Sequence, residues 1–185
     1  MSFETAKKFI DLLLAGDERT TKYIDSYNTQ GAIFEFIGGE PLLEIDLITQ
    51  ITDYIFHELM RLNHPWLNRV FLSFSTNGTL YFDPKVQAYI NKYRNFLSFT
   101  ITIDGNKELH DTCRKFPDGT GSYDIVHKAV LDWRSKSNID LTKITISPYN
   151  VNKVADALIF LIQEEKYTII FINCVYEEGW TEEHA

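Results

Sequence analysis

Apolar residues at Phe3, Ala6, Phe9, Ile10, Leu13 and Leu14 follow the three-and-four spacing of an amphipathic helix over residues 3–15. Ser2 sits where such a helix is capped, and Gly16 where one ends. A polar stretch, residues 17–30, leads into residues 32–37, whose apolar side chains run nearly without alternation and predict a buried strand. The alternation then repeats. Ile48, Ile51, Ile55, Leu59 and Leu62 share one face of a helix over 45–62, and residues 70–75 predict a second strand. Asp83 and Pro84 open a helix that turns Val86, Ile90 and Tyr93 inward. Residues 97–103 predict a third strand. After a loop, Ser122 caps a helix carrying Ile125, Ala129, Val130 and Trp133, and residues 143–147, 150–163 and 168–175 read as strand, helix and strand.

This order predicts an α/β fold of five parallel strands joined by right-handed crossovers, with flanking helices. No internal repeat, low-complexity tract or linker interrupts it, so residues 1–180 are expected to form one core domain, with 181–185 a frayed acidic tail. Four of the five predicted strands end in a polar or Gly-containing tag: GGEP at 38–41, STNG at 75–78, TIDG at 102–105 and SPYN at 147–150. Any one tag is ordinary turn chemistry. Parallel strands, however, bring their C-terminal ends to one edge, where α/β folds bind ligands.

The composition narrows the ligand. With 26 acidic against 18 basic residues and a formal charge of -8, the chain is not built to wrap nucleic acid or to sit on an anionic membrane, and no run of some 18 apolar residues or apolar leader is visible. A cytoplasmic protein with a small ligand or a protein partner is expected. The two cysteines, Cys113 and Cys174, have no metal-site spacing and read as reduced thiols. Phosphate-gripping GxGxxG and GxxxxGK[ST] motifs are absent, as are GxSxG and HExxH. His57 and His127 read as helix-surface residues, and His110, beside Asp111 in the third loop, reads as a solvated histidine.

Taken together, GGEPLL, STNGTL and ITIDGNKELHDTCRKFPDGTGSYD resemble the radical S-adenosylmethionine superfamily, in its branch of sulfatase-maturing and peptide-maturing enzymes. The resemblance runs over about residues 1–180 and implies an incomplete (β/α)6 partial barrel without its first strand. It also implies that Gly38, Gly39 and Glu40 offer backbone groups to the methionyl amino group of S-adenosylmethionine, with Pro41 fixing the exit of the strand. Ser75 and Asn77 match positions facing the cofactor's methionine and ribose, Thr102 stands where many relatives carry serine, and Arg114 matches an arginine that meets the cofactor carboxylate. Asp104 and Gly105 are expected to shape the turn.

One departure outweighs these matches. The superfamily's CxxxCxxC motif, whose thiolates hold a 4Fe-4S cluster, does not occur in this chain. The implied object is therefore a truncated part of a peptide- or protein-modifying enzyme, with the cluster in the full-length parent and no catalysis by the piece alone. A second reading is a non-catalytic interaction module in which the strand at 32–37, left as an edge, pairs with another copy. A third, a cluster-free enzyme, has only His110, Asp111, Asp104 and Glu35 to draw on.

Overall fold

The structure is a computed structural model, and it describes residues 1–25, 30–137, 139–176 and 178–182, without the side chain of Arg19. His184 and most of the expected frayed tail lie outside the described residues, as do residues 26–29 of the polar stretch. The chain divides into two compact units, one comprising residues 1–73 and 84–97, the other residues 74–83 and 98–185.

In the first unit, α1 (Phe3–Ala15) begins where Ser2 Oγ accepts from Thr5 N at 3.2 Å and ends at Gly16, whose left-handed φ of 60° closes it. The polar stretch that follows is not wholly irregular. Asp17 caps a single helical turn, α2 (Glu18–Thr21), by accepting from Thr20 N at 3.2 Å. Strand β1 (Ala32–Phe36) departs from the expectation of burial, since it alternates. Ala32, Phe34 and Phe36 pack against a core built from Ile10, Leu14, Ile55, Leu59 and Trp66, while Ile33 is 71% and Ile37 65% exposed. Its position at the sheet margin explains this, because an edge strand needs only one covered face. Helix α3 (Ile45–Arg61) follows a 3-10 turn, Pro41–Glu44, and leads to β2 (Val70–Thr76). Helix α4 (Pro84–Tyr93) buries Val86, Tyr89, Ile90 and Tyr93, and Tyr89 shares its hydroxyl with Thr52 Oγ1 at 2.9 Å.

The second unit takes the end of β2, nearly all of β3 (Leu97–Thr102), α5 (Lys107–Cys113), α6 (Tyr123–Lys136), β4 (Leu141–Ile146), α7 (Val154–Gln163) and β5 (Ile169–Cys174). Helix α5 lies inside the span predicted as loop. Phe74 stacks on Phe99 at 4.6 Å, Trp133 and Phe99 meet edge to face at 5.0 Å, and Leu109, Ile144 and Ala157 form a second cluster that includes α7. Gly78, at φ 76°, cannot be replaced without cost, since a Cβ there would stand 2.7 Å from Ile101 Cγ2. The strands lie in the order β1-β2-β3-β4-β5, each connection crossing over through helix, and β4 pairs in parallel with both β3 and β5. On β4 the alternation is plain: Thr142 and Ile144 are buried towards helices, whereas Lys143 and Thr145 occupy the opposite, half-open face.

Phe99→Ala is expected to destabilise the protein by about 3–5 kcal/mol, because a fully enclosed ring leaves a cavity. Phe171→Ala, on half-exposed β5, should cost under about 1 kcal/mol. Urea unfolding followed by circular dichroism checks both.

Candidate functional site

The polar groups at the strand ends of the second unit are organised by α5. Asn106 Oδ1 caps this helix at Leu109 N (3.0 Å), and one turn on, the helix sets His110 against the loop it has just left. His110 is wholly buried, 0% exposed, which corrects its reading as a solvated loop histidine. Its Nδ1 accepts from Asp104 N at 3.2 Å, so the ring proton belongs on Nε2, which donates to Ser122 Oγ at 3.0 Å. Ser122 Oγ in turn donates to Arg114 O at 3.1 Å. Ser122 stands at the N-cap of α6 as expected, but its hydroxyl serves this chain of bonds and makes no capping bond to the helix. Burial holds the His110 imidazole down to about 4, against the attraction of Asp104 and with the repulsion of Arg114.

Asp104 does more than shape a turn. Its carboxylate, 1% exposed, accepts from Thr145 N at 2.7 Å through Oδ1 and pairs with Arg114 Nε through Oδ2. Arg114 Nη2 donates to Thr145 Oγ1 at 2.9 Å, and Nη1 has no hydrogen-bond partner among the described residues. Gly105 does shape the turn, at φ 116° and tight against Ala157. Asp111 Oδ1 accepts from Tyr123 N at 2.9 Å, and it can approach so closely only because Gly121 lacks a Cβ, which would stand 2.0 Å from the carboxylate carbon. Between these ties the chain makes a hairpin, with Lys115 bridged to Gly121 and Phe116 N bonded to Thr120 O at 2.8 Å.

Two cavities adjoin Arg114. One, of about 570 Å³, opens at the ends of β3, β4 and β5, between Asp104, Thr112, Arg114, Thr145, Ser147 and Tyr149. The other, of about 290 Å³, is lined by Asn77, Thr79, Arg114, Lys115 and Phe116. Two residues singled out in the sequence, Asn77 and Arg114, thus meet at one cavity. Asn77 Oδ1 also accepts from Thr79 N at 2.9 Å, which fixes the turn after β2. Ser75 and Thr102 are joined through a residue the sequence did not flag: Lys143 Nζ donates to Ser75 Oγ at 3.0 Å, and Lys143 is in register with Thr102, itself buried. Only the period-two alternation of β4 could have marked Lys143 and Thr145 as facing away from the helices.

In the first unit, Glu40 accepts from Leu42 N at 3.1 Å and so caps the 3-10 turn, while Pro41 is buried. Gly38 and Gly39 are exposed, and nothing lies within 4 Å of where a Cβ would stand. Their backbone is therefore open to a ligand. Cys113 and Cys174 are both exposed and free, and no group of three or more His, Cys, Asp or Glu that could hold a metal occurs among the described residues. His57 is at the surface as expected. His127 is less so, stacking on Tyr123 and hydrogen-bonded to Glu165 at 3.0 Å. In the second unit His110 is sealed from solvent, Asp104 is tied to Thr145 and Arg114, and Asp111 is tied to Tyr123. No helix among the described residues is long and apolar enough to cross a membrane.

The strand ends of the second unit thus present a fixed arginine beside two polar cavities, and in α/β folds that rim is where ligands bind. Comparison with known proteins sharpens the class. No protein-family model matches the chain. It is similar to the cysteine-type anaerobic sulfatase-maturating enzyme of Clostridium novyi (strain NT), at 26% identity over 148 residues, covering 79% of this chain and 37% of that protein. Among solved structures it resembles native anSMEcpe with bound AdoMet, with a TM-score of 0.71 and 20% identity, covering 98% of this chain and 46% of that one. It likewise resembles native anSMEcpe with bound AdoMet and a peptide, with a TM-score of 0.69 and 21% identity over the same shares. The fold is thus five parallel strands with flanking helices, matching part of a radical S-adenosylmethionine (β/α) barrel, and the resemblance read from GGEP, STNG and ITIDG holds in sequence and in fold. The chain spans less than half the length of the relatives it matches.

The buried imidazole makes stability depend on pH. Because its folded value, about 4, lies below its ordinary value of 6.5, the unfolded chain takes up the proton first, so stability present above pH 6.5 is lost as pH falls towards 4. Asp104, Asp111, Lys107, Arg114 and the ring of Tyr123 are the groups that face the imidazole. By pH 5 the loss attributable to His110 is on the order of 2 kcal/mol. Urea midpoints measured from pH 7 to 5 should fall more steeply in the parent than in His110→Asn.

Proposed function

We propose that this chain is part of a radical S-adenosylmethionine enzyme that modifies a peptide or protein side chain, and that it supplies part of the S-adenosylmethionine cradle. The observation that carries the reading is Arg114, which is held by Asp104 and Thr145 and lies at the cavity it shares with Asn77. A guanidinium fixed through Nε and Nη2 keeps its remaining edge for a carboxylate, and it does so without losing side-chain entropy on binding. In the same unit Lys143 Nζ is bonded to Ser75 Oγ and stands in register with Thr102, and in the first unit, taken by itself, the exposed backbone at Gly38 and Gly39 is suited to an amino group. These residues fit the ligand chemically.

They do not fit an iron-sulfur cluster. S-adenosylmethionine supplies radical chemistry only when a reduced cluster delivers the electron, and a 4Fe-4S site needs several thiolates. This chain offers two cysteines, about sixty positions apart and in no cluster spacing. Its own residues therefore bind and orient, and the cluster ligands belong to other parts of a full-length parent. The relatives support a peptide as the partner of that parent, since two of the similar solved structures hold a peptide alongside AdoMet.

The second reading, association through a sheet edge, has its own support. Among the two edges, β1 carries Glu35, whereas β5 (IIFINC) carries no charge and leaves Ile169, Phe171 and Ile172 about half exposed. We assign self-association to β5 in preference to residues 32–37.

Calorimetric titration with S-adenosylmethionine is expected to show weak binding that falls by at least about tenfold in Arg114→Ala and is poorly restored in Arg114→Lys. Anaerobic reconstitution with iron and sulfide should yield neither stoichiometric cluster nor 5'-deoxyadenosine. Binding indifferent to Arg114, or a full cluster on this chain, refutes the assignment. For the edge, light scattering should report dimers in the parent and monomers in Phe171→Lys. A parent that stays monomeric at high concentration removes that reading.

A further inference from the structure

We infer that His110 is a positioning residue for Arg114, fixing both the main chain that carries the guanidinium and the carboxylate that aims it. The two arms are separate. Through Nδ1 the ring receives Asp104 N at 3.2 Å, which sets the backbone from which the Asp104 carboxylate reaches Thr145 N and Arg114 Nε. Through Nε2 it donates to Ser122 Oγ at 3.0 Å, and Ser122 binds Arg114 O with both its hydroxyl and its N–H, at 3.1 and 3.0 Å. Arg114 N closes the circuit by donating to His110 O at 3.0 Å.

A leucine or phenylalanine would fill the same volume and make neither arm. The site asks for an acceptor at one end of a flat ring and a donor at the other, which neutral imidazole provides. Burial of the ring means that neither bond is exchanged for water, so a missing Nδ1 arm leaves Asp104 N unsatisfied, and a missing Nε2 arm takes from Ser122 Oγ the bond that orients it towards Arg114 O. Phenylalanine at 110 therefore frees the guanidinium to rotate even where the fold survives. The positioning rests on geometry alone, and only the identity of what Arg114 holds rests on the function proposed above.

Nitrogen-15 NMR of arginine side chains tests it. In the parent, Arg114 Nε–H, identified by its absence in Arg114→Lys, is expected as a shifted and slowly exchanging signal. In His110→Phe that signal should move to the free-arginine position and exchange at least about tenfold faster, with circular dichroism unchanged. His110→Asn, which keeps an acceptor near the Nδ1 position, should restore part of the protection. If His110→Phe does not fold, Ser122→Ala carries the same comparison by removing one hydroxyl. An Arg114 signal unchanged in a folded variant overturns the inference. A parent that shows the network but binds no S-adenosylmethionine overturns the proposed function and leaves the positioning role standing.

Discussion

The arrangement at the strand ends depends on one sequestered carboxylate. Asp104 is 1% exposed, and it is tolerable there only because each oxygen has a partner, Thr145 N on one side and Arg114 Nε on the other. Removing either partner would strand a charge away from water. The pair therefore fixes where β4 ends relative to the segment after β3, and the same pair fixes the direction of the guanidinium. Packing and recognition are in this sense a single constraint: the groups that join the third and fourth strand ends also set the cation at the rim.

The elements were largely legible from periodicity, because helices such as α1, α3 and α4 bury one stripe and expose the rest. Two misreadings have physical causes. Strand β1 looked buried since Ile33 and Ile37 are apolar, but at a sheet margin apolar residues need not be covered, and the packing of Phe34 and Phe36 decides the face. Helix α5 is not legible in the sequence because seven residues with two inward positions, Leu109 and His110, give too little pattern to detect.

The site was legible in part. Asn77 and Arg114, picked out by a resemblance, do meet at one cavity, whereas Lys143 and Thr145 were passed over inside what read as an ordinary strand. The roles of His110 and Asp104 are not legible in the sequence, for a general reason. A sequence shows that a histidine neighbours a carboxylate but not whether water reaches them, and burial turns a commonplace loop residue into the holder of two bonds. The segment ITIDGNKELHDTCRKFPDGTGSYD carries the same lesson, since Asp111 packs against Gly121 and accepts from Tyr123 N, a contact that no local pattern announces.

The hairpin over residues 115–121 leaves and rejoins the body at two fastened points, Arg114 with Ser122 and Asp111 with Tyr123, while Asp118 and Gly119 at its tip stand in solvent. Lys115 and Phe116, on its inner limb, border the smaller cavity. A loop anchored so firmly at its base can change length and chemistry at its crest without disturbing the cation beneath it. Evolution, or a protein engineer, thus has a place to exchange one recognition surface for another while the strand ends keep their geometry.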